Sequence, residues 1–225
     1  MRILFVSATE LEISHLINDK PFLLNKNKKI YKYKNRFHDF EILITGIGSV
    51  FTTYKLTRLL QTSSFDLAIN TGICGTFNPD LPIGSLVNIT NDQFADLGIE
   101  SENDFQSLFE KNFLDCNEFP FVQGALNPHA RVPDFLEPVK KLYKAKGITV
   151  NTTHGNQIRI KEIKQKFGAD TESMEGAAFF YVCMMEKLPC IQIRSLSNRV
   201  ETRDASRWNI PLAIQNLNKF FLNLI

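Results

Sequence analysis

Two glutamates and an asparagine stand where this chain could do chemistry. Glu12 follows the apolar run Ile3 to Val6, within Ala8-Thr9-Glu10-Leu11-Glu12. A carboxylate at a strand end can take a proton from a water molecule. Thr9 followed three residues later by Glu12 is also a capping box, and the spacing alone does not separate the two roles. Glu175 opens a second helical stretch in Ser173-Met174-Glu175-Gly176-Ala177-Ala178, where Ser173 suits an N-cap and a first-turn acid complements the helix dipole. Asn198 sits in the polar run Arg194-Ser195-Leu196-Ser197-Asn198-Arg199, and a lone asparagine after a strand also serves as a turn residue. Gly46-Ile47-Gly48 and Thr71-Gly72-Ile73-Cys74-Gly75 offer backbone that a ligand can approach closely, although tight turns need such glycines too.

Several other chemistries are excluded by pattern. Neither glycine cluster completes GxGxxG, because Phe51 holds the third position of the first. There is no GxSxG elbow. His15, His38, His129 and His154 lack paired ligand spacing, so neither a metal site nor a cofactor is expected.

The elements that must position these residues follow from periodicity. Ile3 to Val6 reads as a strand and Thr9 to Asn18 as a helix with Ile13, Leu16 and Ile17 on one face. Lys28 to Lys34 and Asp39 to Thr45 read as neighbouring strands, followed by a helix over Val50 to Leu60. Strands are expected over Asp66 to Asn70 and Ser85 to Thr90, before an irregular stretch from Phe94 to Pro133 broken by Pro120, Pro128 and Pro133. The spacing then predicts a helix over Pro133 to Lys146 and a strand over Ile148 to Thr152. Helices over Ile160 to Phe167 and Met174 to Lys187, a strand over Cys190 to Arg194 and a helix from Trp208 complete the chain. Alternating strands and helices predict one α/β domain spanning 1–225, a central mixed, mostly parallel sheet between helices. In such sheets ligands sit beyond the carboxyl ends of the strands, here just after Val6, Ile44, Asn70, Val150 and Ile193.

Taken in order, Ala8-x-Glu10-x-Glu12, Gly46-Ile47-Gly48, Asn70-Thr71-Gly72, Ser173-Met174-Glu175-Gly176-Ala177 and Arg194-Ser195-x-Ser197 resemble the nucleoside phosphorylase and nucleosidase superfamily. The resemblance covers nearly the whole chain and is most specific at the Met-Glu pair. The methylthioadenosine/S-adenosylhomocysteine nucleosidase branch is the most similar. Within the superfamily, Asn198-Arg199-Val200-Glu201 followed by Trp208-Asn209-Ile210-Pro211-Leu212-Ala213 resembles the futalosine hydrolases. The resemblance implies hydrolysis of futalosine to release hypoxanthine, in the alternative route to menaquinone.

Carried over by position, it implies that Glu12 activates the attacking water, Glu175 holds the ribose hydroxyls and Met174 packs on the sugar. Gly72, Ile73 and Ile158 fall in the substrate-binding stretches, and Asn198 stands where the methylthioadenosine enzymes have a proton-donating aspartate. Asparagine donates a hydrogen bond but no proton, which points to a 6-oxopurine rather than adenine. Futalosine carries a carboxylated group beyond its 5′ carbon, so a cation is expected at the pocket mouth: Arg203, Arg131 or Arg159. The resemblance also implies a homo-oligomer with the site near an interface. A methylthioadenosine nucleosidase, a purine nucleoside phosphorylase and a non-catalytic nucleoside-binding module are the competing readings. The absence of arginine from Thr45 to Lys55 favours water over phosphate as co-substrate, with Arg194 and Arg199 left as possible phosphate ligands.

Bulk composition agrees with a small-molecule partner. The 225 residues carry 26 Lys+Arg against 24 Asp+Glu, and this net charge of +2 gives no electrostatic reason to expect nucleic acid or a membrane surface. Apolar residues make up 44% and charged ones 22%, as in ordinary globular domains. The apolar start meets Glu10 and Glu12 too soon for a secretory signal, and the run Gly176 to Met185 is half the length of a membrane-spanning helix. Four scattered cysteines without a CxxC pair suit reduced thiols in the cytoplasm.

Overall fold

The computed structural model describes residues 1–21, 23–25, 30–102, 104–202 and 204–225. Strand β1 (Arg2–Ser7) leads through a 3-10 turn (Leu11–Ile13) into the short helix α1 (Ser14–Asp19). Then come β2 (Leu23–Asn25), β3 (Ile30–Lys34), β4 (Asp39–Ile44), α2 (Ser49–Leu60), β5 (Leu67–Thr76) and β6 (Leu86–Phe94). The stretch expected to be irregular holds only short pieces: β7 (Gly98–Glu100), β8 (Phe105–Ser107), β9 (Phe121–Val122) and β10 (Ala125–Leu126). After it follow β11 (Tyr143–Thr149), α3 (Gln157–Phe167), β12 (Thr171–Ser173), α4 (Gly176–Met185), β13 (Cys190–Arg199) and α5 (Ile210–Leu222). Lys28 and Lys29 of the expected second strand lie outside the described residues.

Eleven of these strands form one mixed sheet. Its parallel centre is β4-β1-β5-β13, with Phe5 level with Ile42 on one side and Ile69 on the other. The sheet also closes on itself. β5 pairs with β12, β12 with β11, β11 with β6, β6 with β13, and β13 with β5 again. This ring is possible because β5 and β13 are longer than their apolar cores. β5 was expected to stop at Asn70 and β13 at Arg194, yet they run to Thr76 and Arg199. Beyond the expected ends β5 and β13 pair with each other, Gly75 and Thr76 also pair with β12 and Ser195 with β6, while the Ile73 N–H turns to the Glu12 carboxylate instead of a strand. β12, the three residues directly before the Met-Glu pair, was not foreseen; it is too short to show a period.

Apolar clusters lie on both faces. On one, Leu4, Val6, Leu56, Phe179, Phe180 and Cys183 join α2 and α4 to the sheet. On the other, Phe5, Ile13, Leu16, Ile193, Leu217 and Phe221 bind α1 and α5. Each fully buried side chain of this size contributes about 1.5–3 kcal/mol. Helix α4 is buried along most of its length, and its residues Gly-Ala-Ala-Phe-Phe are apolar all round rather than on one stripe. The helix expected over Pro133 to Lys146 does not form. Residues Asp134–Lys141 make 3-10 turns interrupted at Leu136 with Pro138 inside, and from Tyr143 the chain pairs with β6 instead. Proline removes the backbone donor that an α-helix would need there. Among the described residues no helix is long and apolar enough to cross a membrane.

Candidate active site

A cavity of about 330 Å³ opens along the second half of β5. Ile73, Cys74 and Gly75 form part of its floor, and Glu12, Met174, Glu175, Asn198, His154 and Glu172 are among its walls. The cavity therefore lies inside the lengths of β5 and β13, past the point where each was expected to end.

At the Gly72 end of this strand three charges converge. Glu12 is 7% exposed; its Oε2 accepts from the Thr9 N–H at 3.0 Å and the Thr9 hydroxyl at 3.1 Å, and its Oε1 accepts from the Ile73 N–H at 3.0 Å. The Glu12 N–H donates to Thr9 Oγ1 at 3.3 Å, so the capping box is present and points the carboxylate into the cavity as well. The segment is clamped from behind by Asn218 of α5, whose Oδ1 accepts from the Leu16 N–H at 3.0 Å and whose Nδ2 donates to the Glu12 carbonyl at 2.8 Å.

Glu175 enters from the turn before α4. Its Oε1 accepts from the Gly48 N–H at 3.0 Å, where a φ of +105° at the start of α2 turns that donor towards it and favours glycine. Arg194, 1% exposed, donates from Nη1 to Glu175 Oε2 at 3.5 Å and from Nη2 to Asn70 Oδ1 at 2.5 Å and Gln192 Oε1 at 3.2 Å. A side-chain carbon on Gly72 would lie 2.5 Å from Arg194 Nη1 and 2.6 Å from Glu12 Oε1, so the absence of one keeps the space between them open. Burial pushes the Glu175 carboxyl above the usual carboxylate range; Arg194 opposes this and the charge of Glu12 adds to it. Behind Arg194, Gln192 donates to Asp92 Oδ2 at 2.9 Å, and burial raises the Asp92 carboxyl to about 6.

At the Gly75 end the groups are neutral or paired. Asn198 Oδ1 accepts from the Ser197 hydroxyl at 2.7 Å, and its Nδ2 gives one hydrogen to the Arg199 carbonyl at 2.9 Å. One amide hydrogen is left for a ligand. Across Gly75 from Asn198, Glu172 is level with Gly75 in the β12–β5 ladder. Glu172 holds His154 through the His154 N–H at 3.0 Å and through Nδ1. Trp208, Val200, Ile210 and Ile214 supply apolar wall, with Leu11 and Ile47 further round the cavity.

The structure thus brings together Glu12, Gly72, Ile73, Met174, Glu175 and Asn198. It leaves Ile158 out: that side chain is 69% exposed in the first turn of α3, whose backbone is capped by Asn156 Oδ1, and it is not in the cavity wall. His154, four residues earlier, takes the place on the wall. Of the three arginines considered for a substrate carboxylate, Arg203 lies outside the described residues. Arg159 is paired with Glu100 at 2.5 Å and Glu162 at 3.2 Å, and Arg131 is exposed away from the cavity. Arg199 is spent on the carbonyls of Asn78 and Pro79. His154, Glu172 and Trp208 were not foreseen as site residues; β12 is too short for an alternating pattern to have marked Glu172.

A family model of the phosphorylase superfamily matches residues 2–225. The chain belongs to that superfamily. Its sequence is 25% identical over 232 residues to a 5′-methylthioadenosine/S-adenosylhomocysteine nucleosidase of Buchnera aphidicola, covering 100% of this chain and 89% of that protein. It is 27% identical over 187 residues to the futalosine hydrolase of Streptomyces coelicolor, covering 79% of this chain and 75% of the other. The fold matches that of the Helicobacter pylori futalosine hydrolase with a TM-score of 0.82 at 16% identity, over 100% of this chain and 97% of that one.

Proposed function

We propose that this superfamily member is a nucleoside N-glycosyl hydrolase that cleaves futalosine and releases hypoxanthine. The observation that carries the reading is the convergence of Glu12, Glu175 and Arg194 on Gly72, with the Asn198 amide at Gly75 on the same strand. That separation suits a nucleoside, with its ribose at the charged end and its purine at the neutral end.

As the C1′–N9 bond lengthens, the sugar becomes oxocarbenium-like and the purine gathers negative charge, so both ends need stabilising. Glu12 accepts a proton from the water that attacks C1′. Glu175 holds the ribose hydroxyls and Met174 packs on the sugar, while the free N–H of Asn198 donates to the N7/O6 edge of the departing base. Water is favoured over phosphate because Arg194 is flanked by two carboxylates and Arg199 is committed to backbone carbonyls.

Incubation with futalosine, inosine and methylthioadenosine, with and without phosphate, followed by chromatography of the products, tests this. Hypoxanthine released from futalosine in phosphate-free buffer is the expected result. Adenine as the main product would make the chain a methylthioadenosine-type nucleosidase, and ribose 1-phosphate would make it a phosphorylase. Tight binding without cleavage would leave a nucleoside-binding module.

Self-association is part of the same proposal. Ile47, Val50, Phe51 and Tyr54, 55%, 72%, 58% and 61% exposed, form an apolar row that starts at the cavity and runs along α2. Such a row is covered most simply by a second copy. Light scattering is expected to give a dimer or larger assembly, and a monomer at micromolar concentration would refute it.

A further inference from the structure

The Glu172–His154 pair has no part in the chemistry described so far, yet both residues face the cavity. Glu172 is 5% exposed and accepts from both the backbone N–H and Nδ1 of His154. A carboxylate only accepts, so the imidazole must carry its hydrogen on Nδ1. In the neutral ring this leaves a lone pair on Nε2, which has no hydrogen-bond partner among the described residues.

The pair also has a defined position relative to Asn198. Gly75 is level with Glu172 on one side and with Asn198 on the other. The two flanking positions are therefore two strand spacings apart, about 10 Å. The Val200 methyl and the Asn198 amide close over Gly75, 2.7 Å and 3.2 Å from where its side-chain carbon would be, while His154 and Glu172 line the same cavity on the other flank. A flat base resting on Val200 between these flanks would meet Asn198 at one edge and His154 at the opposite edge.

We infer that His154, oriented by Glu172, is a specificity-determining residue that selects 6-oxopurines by accepting the hydrogen on ring N1. This rests on the nucleosidase reading above and deepens it. A 6-oxopurine carries a hydrogen at N1, whereas a 6-aminopurine presents a lone pair there. An acceptor Nε2 bonds the first and repels the second. Sites built around a hydrogen bond discriminate strongly, because a mismatched partner leaves a buried polar group unpaired. Glu172 is a positioning residue: it fixes which nitrogen of the ring accepts.

The test compares kcat/KM for inosine and adenosine, and for the same pair bearing one common 5′ substituent, in the wild type, His154→Ala and Glu172→Gln. The ratio of oxo to amino substrate is expected to fall at least tenfold in both variants. The glutamine side chain lets the ring adopt the opposite tautomer, so selectivity falls there while the imidazole remains. A purely structural role would lower both substrates together and leave the ratio unchanged, which would overturn the inference. So would a ratio that rises in His154→Ala, since the ring would then be a donor. Quenching of Trp208, the single tryptophan and a residue of the cavity wall, gives the affinity of free hypoxanthine and adenine without catalysis. If the wild type cleaves no nucleoside but still prefers hypoxanthine through His154, the function proposal fails and this one stands. If it cleaves nucleosides while binding both bases equally, this one fails alone.

Discussion

The two ends of β5 within the cavity differ in how firmly their groups are held. At Gly72, two buried carboxylates are tied by backbone donors from Thr9, Gly48 and Ile73, and the buried guanidinium donates to the side chains of Asn70 and Gln192. At Gly75, the amide of Asn198 is bonded to its own chain neighbours, and Glu172 to a histidine in the loop after β11. The charged end is fixed from outside its own residues, and the neutral end largely from within. Charge stabilisation at a transition state needs dipoles already in place. Selection of a base needs only the right donors and acceptors, which local bonds can set. The comparison predicts that damage at Gly72 destroys turnover, whereas damage at Gly75 redirects it.

The largest effect is expected from Glu12→Gln. Glutamine has a single acceptor oxygen, so it keeps the bonds from Thr9 or the one from Ile73, and it cannot take a proton; turnover should fall by about 10²–10⁴-fold. Circular dichroism and a melting curve should show a folded protein. A folded, active variant would reduce Glu12 to its capping role.

Next come the paired variants Gly72→Ala and Gly75→Ala, which break the comparison directly if they behave alike. At 72 the new carbon meets Arg194 Nη1 and Glu12 Oε1, neither free to step aside, and turnover should drop by about 10²-fold. At 75 it meets Val200 Cγ2 at 2.7 Å and Asn198 Nδ2 at 3.2 Å, the ends of side chains that can shift. Turnover there should fall by no more than about tenfold, with a change in which purine is released.

Asn198→Asp sharpens the neutral end. A carboxylate oxygen would replace the N–H that bonds the Arg199 carbonyl and would face O6 of an oxopurine with like polarity. Loss of about 10²-fold in hypoxanthine release is expected, measured by chromatography beside a melting curve. A plain turn-forming role predicts little change.

The smallest effect belongs to the support behind Arg194. The Asp92 carboxyl binds its proton more tightly in the folded chain, at about 6, than the ordinary value of 3.8. Stability from this group is present below about 4 and is lost as pH rises through about 6. Asp92→Asn removes that loss, so its melting temperature relative to wild type should rise by roughly 5 °C between pH 4 and pH 8. An unchanged difference across that range would show that Asp92 does not titrate as its burial implies.

The charged end was the more legible in sequence, and for a physical reason. Glu12 sits where an apolar run gives way to a helix start and Glu175 at the start of an apolar helix, so local pattern marks both positions, and the ordered set of motifs then suggests their roles. Arg194 was visible as part of a polar run and as a possible phosphate ligand, not as a buried partner of Glu175. Its burial depends on β13 continuing between β5 and β6, a tertiary pairing that no local pattern encodes. The same extension hid the floor of the cavity, because Gly72 and Gly75 read as turn residues although they lie inside a strand. Ile158 shows the opposite error. Its helix was anticipated, but the cap at Asn156 sets its first turn facing solvent. His154 stands in a loop and Glu172 in a three-residue strand, neither long enough to show a period.

The Asn218 clamp carries a kinetic consequence. It joins α5 to the backbone at Glu12 and Leu16 across more than two hundred residues, a contact separated by 206 positions in the case of the Glu12 carbonyl. Long-range contacts of this kind form late, because the loop between them must close first. The segment that carries Glu12 is thus secured only after α5 has been synthesised and docked. In a nascent chain still lacking that helix, β5 and β13 around Gly75 would be in place before Glu12 is fixed, so under the proposed function recognition of the base would mature ahead of hydrolysis.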